Sequence, residues 1–127
     1  MMKTRSWKLV TLLLTLVCAL FACTGCWFQK RVELKEVQAP TLSAVYDEEF
    51  HCYNVYVEGI VENPAGYSIT GNLTAVLYDA DGNVLEVAYT YVSEVGAGER
   101  WRYCAMLTSI IQPVSCRISE AYGYKYY

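Results

Sequence analysis

The chain of 127 residues has a single histidine, His51, and few basic groups. One imidazole leaves little for acid–base or nucleophilic chemistry, and neither a Gly-x-Ser-x-Gly elbow nor a zinc-type Cys/His spacing is present. His51 stands next to Cys52. A thiol nucleophile needs its base within hydrogen-bond reach, and neighbours on a strand point to opposite faces, so this adjacency works against a dyad. Catalysis is not expected, and no motif implies a metal or a cofactor. A helical i, i+3, i+4 stripe longer than a turn or two is also missing, which excludes a helix bundle. The mostly apolar run over residues 9–22 falls short of the roughly 20 residues that a spanning helix needs.

That run fits another role. Lys3, Arg5 and Lys8 precede it and small Ala22 ends it, the pattern of a secretory signal peptide over residues 1–22. Removing it takes three of the 10 basic residues and leaves seven against 13 Asp+Glu, a net −6. Phosphate binding needs a basic footprint, so nucleic acid is not an expected partner and anionic lipid is a poor one. Of six cysteines, Cys18 leaves with the leader, Cys23 and Cys26 sit at the cleavage site, and Cys52, Cys104 and Cys116 belong to the folded part. Export permits disulfides, but three cysteines cannot all pair with one another.

Leu20-Phe21-Ala22-Cys23 resembles a bacterial lipobox: aliphatic at −3, small at −1, then the cysteine that becomes the first mature residue. The resemblance implies a diacylglycerol thioether on Cys23. Cys26 is second choice, because Gly25 suits −1 but Cys23 would be an unusual −3. Two acyl chains anchor stably where one anchors marginally, at about 0.8 kcal/mol per buried methylene. The expected location is the extracytoplasmic face of the cell membrane.

Residues 23–40 read as a solvated tether of alternating charge closed by Pro40, although Arg31-Val32-Glu33-Leu34-Lys35 would also suit the start of a strand. Residues 41–127 then read as one domain. Its centre is Leu73 to Tyr89, two arms rich in Val, Leu, Tyr and Thr around Asp79-Ala80-Asp81-Gly82-Asn83. In an EF-hand, Gly stands at position 6 and Glu at 12. Counting from Asp79, Gly82 falls at 4 and Thr90 at 12, so the loop reads as an Asx-stabilised hairpin turn and not a calcium site. Upstream, Tyr53, Val55, Val57 and Val61 share one parity, and Asn63-Pro64-Ala65-Gly66 ends the strand. In the second arm, Leu85, Val87, Tyr89 and Tyr91 share one parity, and Glu86, Ala88 and Thr90 the other. Trp101, Tyr103, Ala105 and Leu107 are read as inward, and residues 114–119 as a final strand. The whole predicts an all-β antiparallel sandwich of about six to seven strands.

Gly59-Ile60-Val61-Glu62-Asn63, Ala75-Val76-Leu77-Tyr78-Asp79 with Gly82 beyond it, and Gly98-Glu99 before an aromatic strand resemble the FxLYD domain of bacterial envelope lipoproteins. Ala75 replaces the name-giving Phe, a lost ring that Trp101 or a Tyr could replace. The resemblance covers roughly residues 50–120 and implies an immunoglobulin-like sandwich, with no catalytic residues to carry over.

Two further readings concern the domain. A tight connection over residues 109–113 would make a hairpin centred near Ile110 and set Cys104 opposite Cys116, a candidate disulfide; otherwise these are small buried hydrophobes. Twelve tyrosines place some, such as Tyr56 and Tyr78, on polar parities. They are either a contact surface for an envelope protein or glycan, or packing and tail. The expected function is that of a lipid-anchored interaction or envelope-structural module. The alternative is a small-ligand or peptide-binding lipoprotein working with a transporter.

Overall fold

Alternating apolar and polar residues, with β-branched and aromatic side chains at the apolar positions, suit a pleated surface buried on one side. A computed structural model, which describes residues 30–126, has seven strands and no helix among the described residues. The strands are β1 (Arg31–Glu33), β2 (Lys35–Asp47), β3 (Cys52–Glu62), β4 (Ile69–Tyr78), β5 (Val84–Val95), β6 (Arg100–Ser109) and β7 (Ser115–Tyr124). They pair antiparallel into a four-stranded sheet, β1-β7-β4-β5, and a three-stranded sheet, β2-β3-β6. The core draws Val55, Val57, Val61 and Tyr103 from the smaller sheet and Leu73, Ala75, Leu77 and Ala88 from the larger. The arrangement is sandwich-like, each sheet covering the other's apolar face. The inward parities expected of β3 and β6 are those observed: Tyr53, Trp101 and Leu107 pack against this cluster. The leader over residues 1–22, both lipidation candidates Cys23 and Cys26, and the start of the tether lie outside the described residues.

The tether reading fails from residue 31 onward. Val32 stands opposite Gly123 and Glu33 opposite Tyr122, which adds β1 to the edge of the larger sheet. The Leu34 N–H donates to the Ala121 carbonyl at 2.9 Å, and its side chain packs against the core. The chain then crosses to the smaller sheet as β2. The Arg31-to-Lys35 alternation yields strands because each piece covers an open sheet edge and gains ladder hydrogen bonds there. Pro40 is accommodated within β2, an outer strand, in the register shift between Gln38 and Thr41, where its missing N–H costs no ladder bond. The domain therefore begins at Arg31, before the expected residue 41. At the other terminus, Tyr122 to Tyr124 continue β7.

Asn63 joins the two sheets at one end. It is fully buried. Its Nδ2 donates to the carbonyls of Tyr67 at 2.9 Å, Val95 at 3.1 Å and Gly96 at 3.0 Å, and its Oδ1 accepts from the Ala65 N–H at 2.9 Å. Its main chain bonds Glu99 and Gly98. One amide thus ties the end of β3 to the end of β5 and to the loops beside them.

Tyr103, among the largest fully buried side chains, lies opposite Gly59 in the β3–β6 ladder. A Cβ at Gly59 would run into the Tyr103 hydroxyl, so only glycine leaves room for the ring. Burial pushes the Tyr103 phenol up to about 12, and the Glu36 carboxylate adds to the shift.

Asn63→Ala lowers the urea-unfolding free energy by about 2–4 kcal/mol, because three carbonyls and one N–H lose a buried partner; a loss under about 0.5 kcal/mol would mean they are satisfied another way. The folded state favours the neutral Tyr103 phenol relative to its ordinary value of 10.0. Its contribution is complete below pH 10.0 and is lost as the pH rises toward about 12. Melting temperatures of Tyr103→Phe and the parent should therefore diverge only above that lower limit, the parent losing more.

Candidate interaction surface

The β4–β5 turn decides which side chains face solvent. The Asp79 N–H donates to the Asn83 carbonyl at 3.0 Å, and the Gly82 N–H to the Asp79 carbonyl at 3.1 Å. The Asp79 Oδ1 accepts from the Asp81 and Asn83 amides, both at 2.9 Å. Gly82 supplies the left-handed residue, at φ 80°. This is the expected Asx turn, with the carboxylate oxygen occupied by the loop's own amides. Among the described residues no cluster of three or more His, Cys, Asp or Glu is placed to hold a metal.

The turn sets Leu73 opposite Thr90, Ala75 opposite Ala88 and Leu77 opposite Glu86. Directly opposed residues share a face. Because Leu73, Ala75 and Leu77 are buried, Ala88 turns inward with them, and the more apolar parity of β5 turns outward. Tyr89 is 73% exposed and Tyr91 62%.

On the same outer face, β7 places Tyr122 beside Asn72 and Glu120 beside Thr74. Two cross-strand rows result, Tyr122–Asn72–Tyr91 and Glu120–Thr74–Tyr89. These six residues line a shallow groove of about 330 Å³. At its rim the Arg31 guanidinium lies 4.0 Å from the Tyr122 ring centre and pairs with Glu33 at 2.6 Å and Glu120 at 3.8 Å. Arg117 Nε donates to the Tyr78 hydroxyl at 3.0 Å. Tyr124 meets Tyr122 edge-on at 5.7 Å. The charges of this face are partnered in place. What it offers is flat aromatic area with an amide and a hydroxyl between the rings, chemistry suited to a neutral, hydrogen-bonding partner.

Tyr78 falls on this outer face and Tyr56 on the outer side of the smaller sheet, across from Met106, as their polar parities implied. Tyr89, Tyr91 and Tyr122 were not singled out by the sequence pattern. The signal that finds them is the hairpin register: once the turn over residues 79–83 is placed, the buried parity of β4 dictates that of β5.

The expected Cys104–Cys116 bridge does not form, and Cys52, Cys104 and Cys116 are all free. β6 pairs with β3 alone and β7 with β4 and β1, so the connection over residues 109–113 passes between sheets and makes no hairpin. Cys104 stands opposite Glu58 and Cys116 opposite Leu77. Cys104 lies on the exposed side of its sheet, 3.6 Å from Glu58 Oε1, whereas Cys116 packs against the core. Both thiols are pushed up: Cys116 by burial, and Cys104 by desolvation first and then by Glu58. Raised values disfavour the nucleophilic thiolate. His51, at φ 52° in the β2–β3 turn, has its Nδ1 3.5 Å from the Tyr46 hydroxyl.

No family model, no curated protein and no solved structure matches this chain.

Peptide mapping without reductant should recover Cys104 and Cys116 on separately alkylated peptides, and native thiol titration should label Cys104 before Cys116. A linked 104–116 peptide from exported protein would contradict a strand order that puts β6 and β7 in different sheets.

Proposed function

We propose that this protein is a lipid-anchored module of the cell envelope, held on the extracytoplasmic side of the membrane through Cys23, with Cys26 as second choice. It acts as an interaction or envelope-structural domain and carries no catalytic centre. The observation that carries this reading is the outer face of the larger sheet, where Tyr89 and Tyr91 stand exposed beside Tyr122, Asn72 and Thr74. An isolated soluble domain gains nothing from turning the more apolar side of an edge strand to water. A partner that covers those rings does, because tyrosine gives large contact area at low conformational cost. The partner is an envelope protein or glycan.

The immunoglobulin-like assignment draws support from connectivity. Taking β2, β3 and β6 as A, B and E, and β4, β5 and β7 as C, C′ and F, yields the pairings of such sandwiches, with β1 beside F. The FxLYD-like residues Leu77, Tyr78 and Asp79 close β4 and open its turn. Ala75, in the position of the missing ring, is fully buried in the same cluster as Tyr103 and Trp101. Membrane attachment rests on the leader and Cys23, since among the described residues no helix is long and apolar enough to cross a bilayer.

Two variants test the reading separately. Cys23→Ala, repeated with Cys26→Ala, should release the protein from the membrane fraction; retention in both sinks the anchor. Tyr89→Ser/Tyr91→Ser should leave stability within about 0.5 kcal/mol and abolish the crosslinked species formed at the tyrosine face in intact envelopes. An unchanged crosslinking pattern sinks the surface.

A further inference from the structure

We propose that the end of the domain built by the β2–β3 turn, the β4–β5 turn and the β6–β7 connection is a second docking surface, for a protein segment that presents an apolar face bordered by lysine and arginine. Antiparallel pairing brings these three segments to one end. Asp47 pairs with Cys52, Tyr53 lies opposite Ser109, and Tyr78 lies opposite both Val84 and Ser115. Turns ordinarily carry polar residues. Here each of the three holds large apolar side chains out to solvent: Phe50 in the first, Val84 beside the second, and Ile110, Ile111 and Val114 in the third. Phe50 is 71% exposed and Ile110 83%. Large apolar side chains held exposed at one end of a monomer, more than turns need, point to a contact site.

Their exposure does not come from loose loops. Asp47 Oδ1 accepts from the amides of Glu49 at 2.9 Å and Phe50 at 3.3 Å. Asp79 holds the second turn in the same way. In the third, the Ser109 hydroxyl donates to the Ile111 carbonyl at 2.6 Å, the Val114 N–H donates to the Tyr78 carbonyl at 2.9 Å, and Pro113 is buried. A preorganised surface loses less entropy on binding.

The charge around these residues selects the occupant. The first two turns carry Asp47, Glu48, Glu49, Asp79 and Asp81, and residues 44–52, 79–84 and 109–114 contain no Lys or Arg. Two such ends repel one another, which argues against a second copy, and an anionic bilayer repels them equally. A cationic rim complements them and steers the encounter. The surface is also separate from the tyrosine groove and lies at the opposite end from Arg31, where the domain's chain begins. Strands of this length span roughly 30 Å, which separates this end from Arg31.

The test titrates isotope-labelled mature protein with two amphipathic helical peptides, one of Leu and Lys and one of Leu and Glu. The expected result is that only the Leu/Lys peptide shifts amide resonances of residues 47–51, 79–84 and 110–114, with an affinity that falls as salt is raised. Phe50→Ser/Ile110→Ser should weaken it by about tenfold or more at unchanged melting temperature. Glu48→Lys/Glu49→Lys should abolish the preference for the cationic peptide without removing an apolar contact. Tyr89→Ser/Tyr91→Ser should leave this binding intact, which separates it from the function proposed above. Equal binding of the Leu/Glu peptide, binding unaffected by the Phe50/Ile110 variant, or shifts centred on the tyrosine groove would overturn the proposal. So would perturbation of these turns by phosphatidylcholine or phosphatidylglycerol vesicles, or a concentration-dependent dimer that broadens them.

Discussion

Leu73, Ala75 and Leu77 of β4 and their opposite numbers in β5, Thr90, Ala88 and Glu86, must point the same way, because a pair of directly opposed residues shares one face of its sheet. The rest of the molecule follows from this constraint. With β4 in the middle of the larger sheet and its odd-numbered side chains buried, the facing of both neighbours is settled. In β5 Ala88 and Thr90 go in and the tyrosines come out. In β7 the ladder, with a register shift between Thr74 and Ala75, puts Cys116, Ile118 and Ala121 toward the core and Tyr122 outward. The surface proposed to bind a partner is thus a by-product of packing the other side.

The two ends of the sandwich are built differently. At the end where β3 finishes, Asn63 draws the neighbouring loops inward and shares its two amide protons among three carbonyls. Burying that amide is tolerable because its hydrogen bonds are made within the fold. At the other end, Asp47 and Asp79 close their turns with local bonds to the amides that follow them, and the apolar residues between are left in water. One end therefore consolidates the sheets, while the other presents side chains that the fold itself does not use.

Much of the fold was legible in the sequence. The inward sides of β3 and β6 followed from period-two alternation at Tyr53, Val55, Val57 and Val61 and at Trp101, Tyr103, Ala105 and Leu107. The Asx turn followed from Asp79, Gly82 and Asn83. Each of these is a local property, since parity and turn chemistry are set by residues a few positions apart. The candidate surface was less legible. On β5 the apolar parity is the exposed one, so composition pointed the wrong way and only the hairpin register corrects it. Residues 31–40 read as a charged tether because a strand that completes an open edge needs no strong pattern of its own, and Leu34 is the one core contact in the stretch from Arg31 to Glu36.

The sequence by itself determined that the domain is all-β, where most strands lie, and which turn joins β4 to β5, because backbone preference and alternation act over short spans. It also marked the leader and Cys23 as the expected means of attachment. Only the tertiary structure decided which strands pair. That choice placed Cys104 and Cys116 in different sheets, gave β1 and β2 to separate edges, and gathered three distant turns at one end. Pairing partners are selected by the burial of both sheets' apolar faces together, a global condition that no single segment contains.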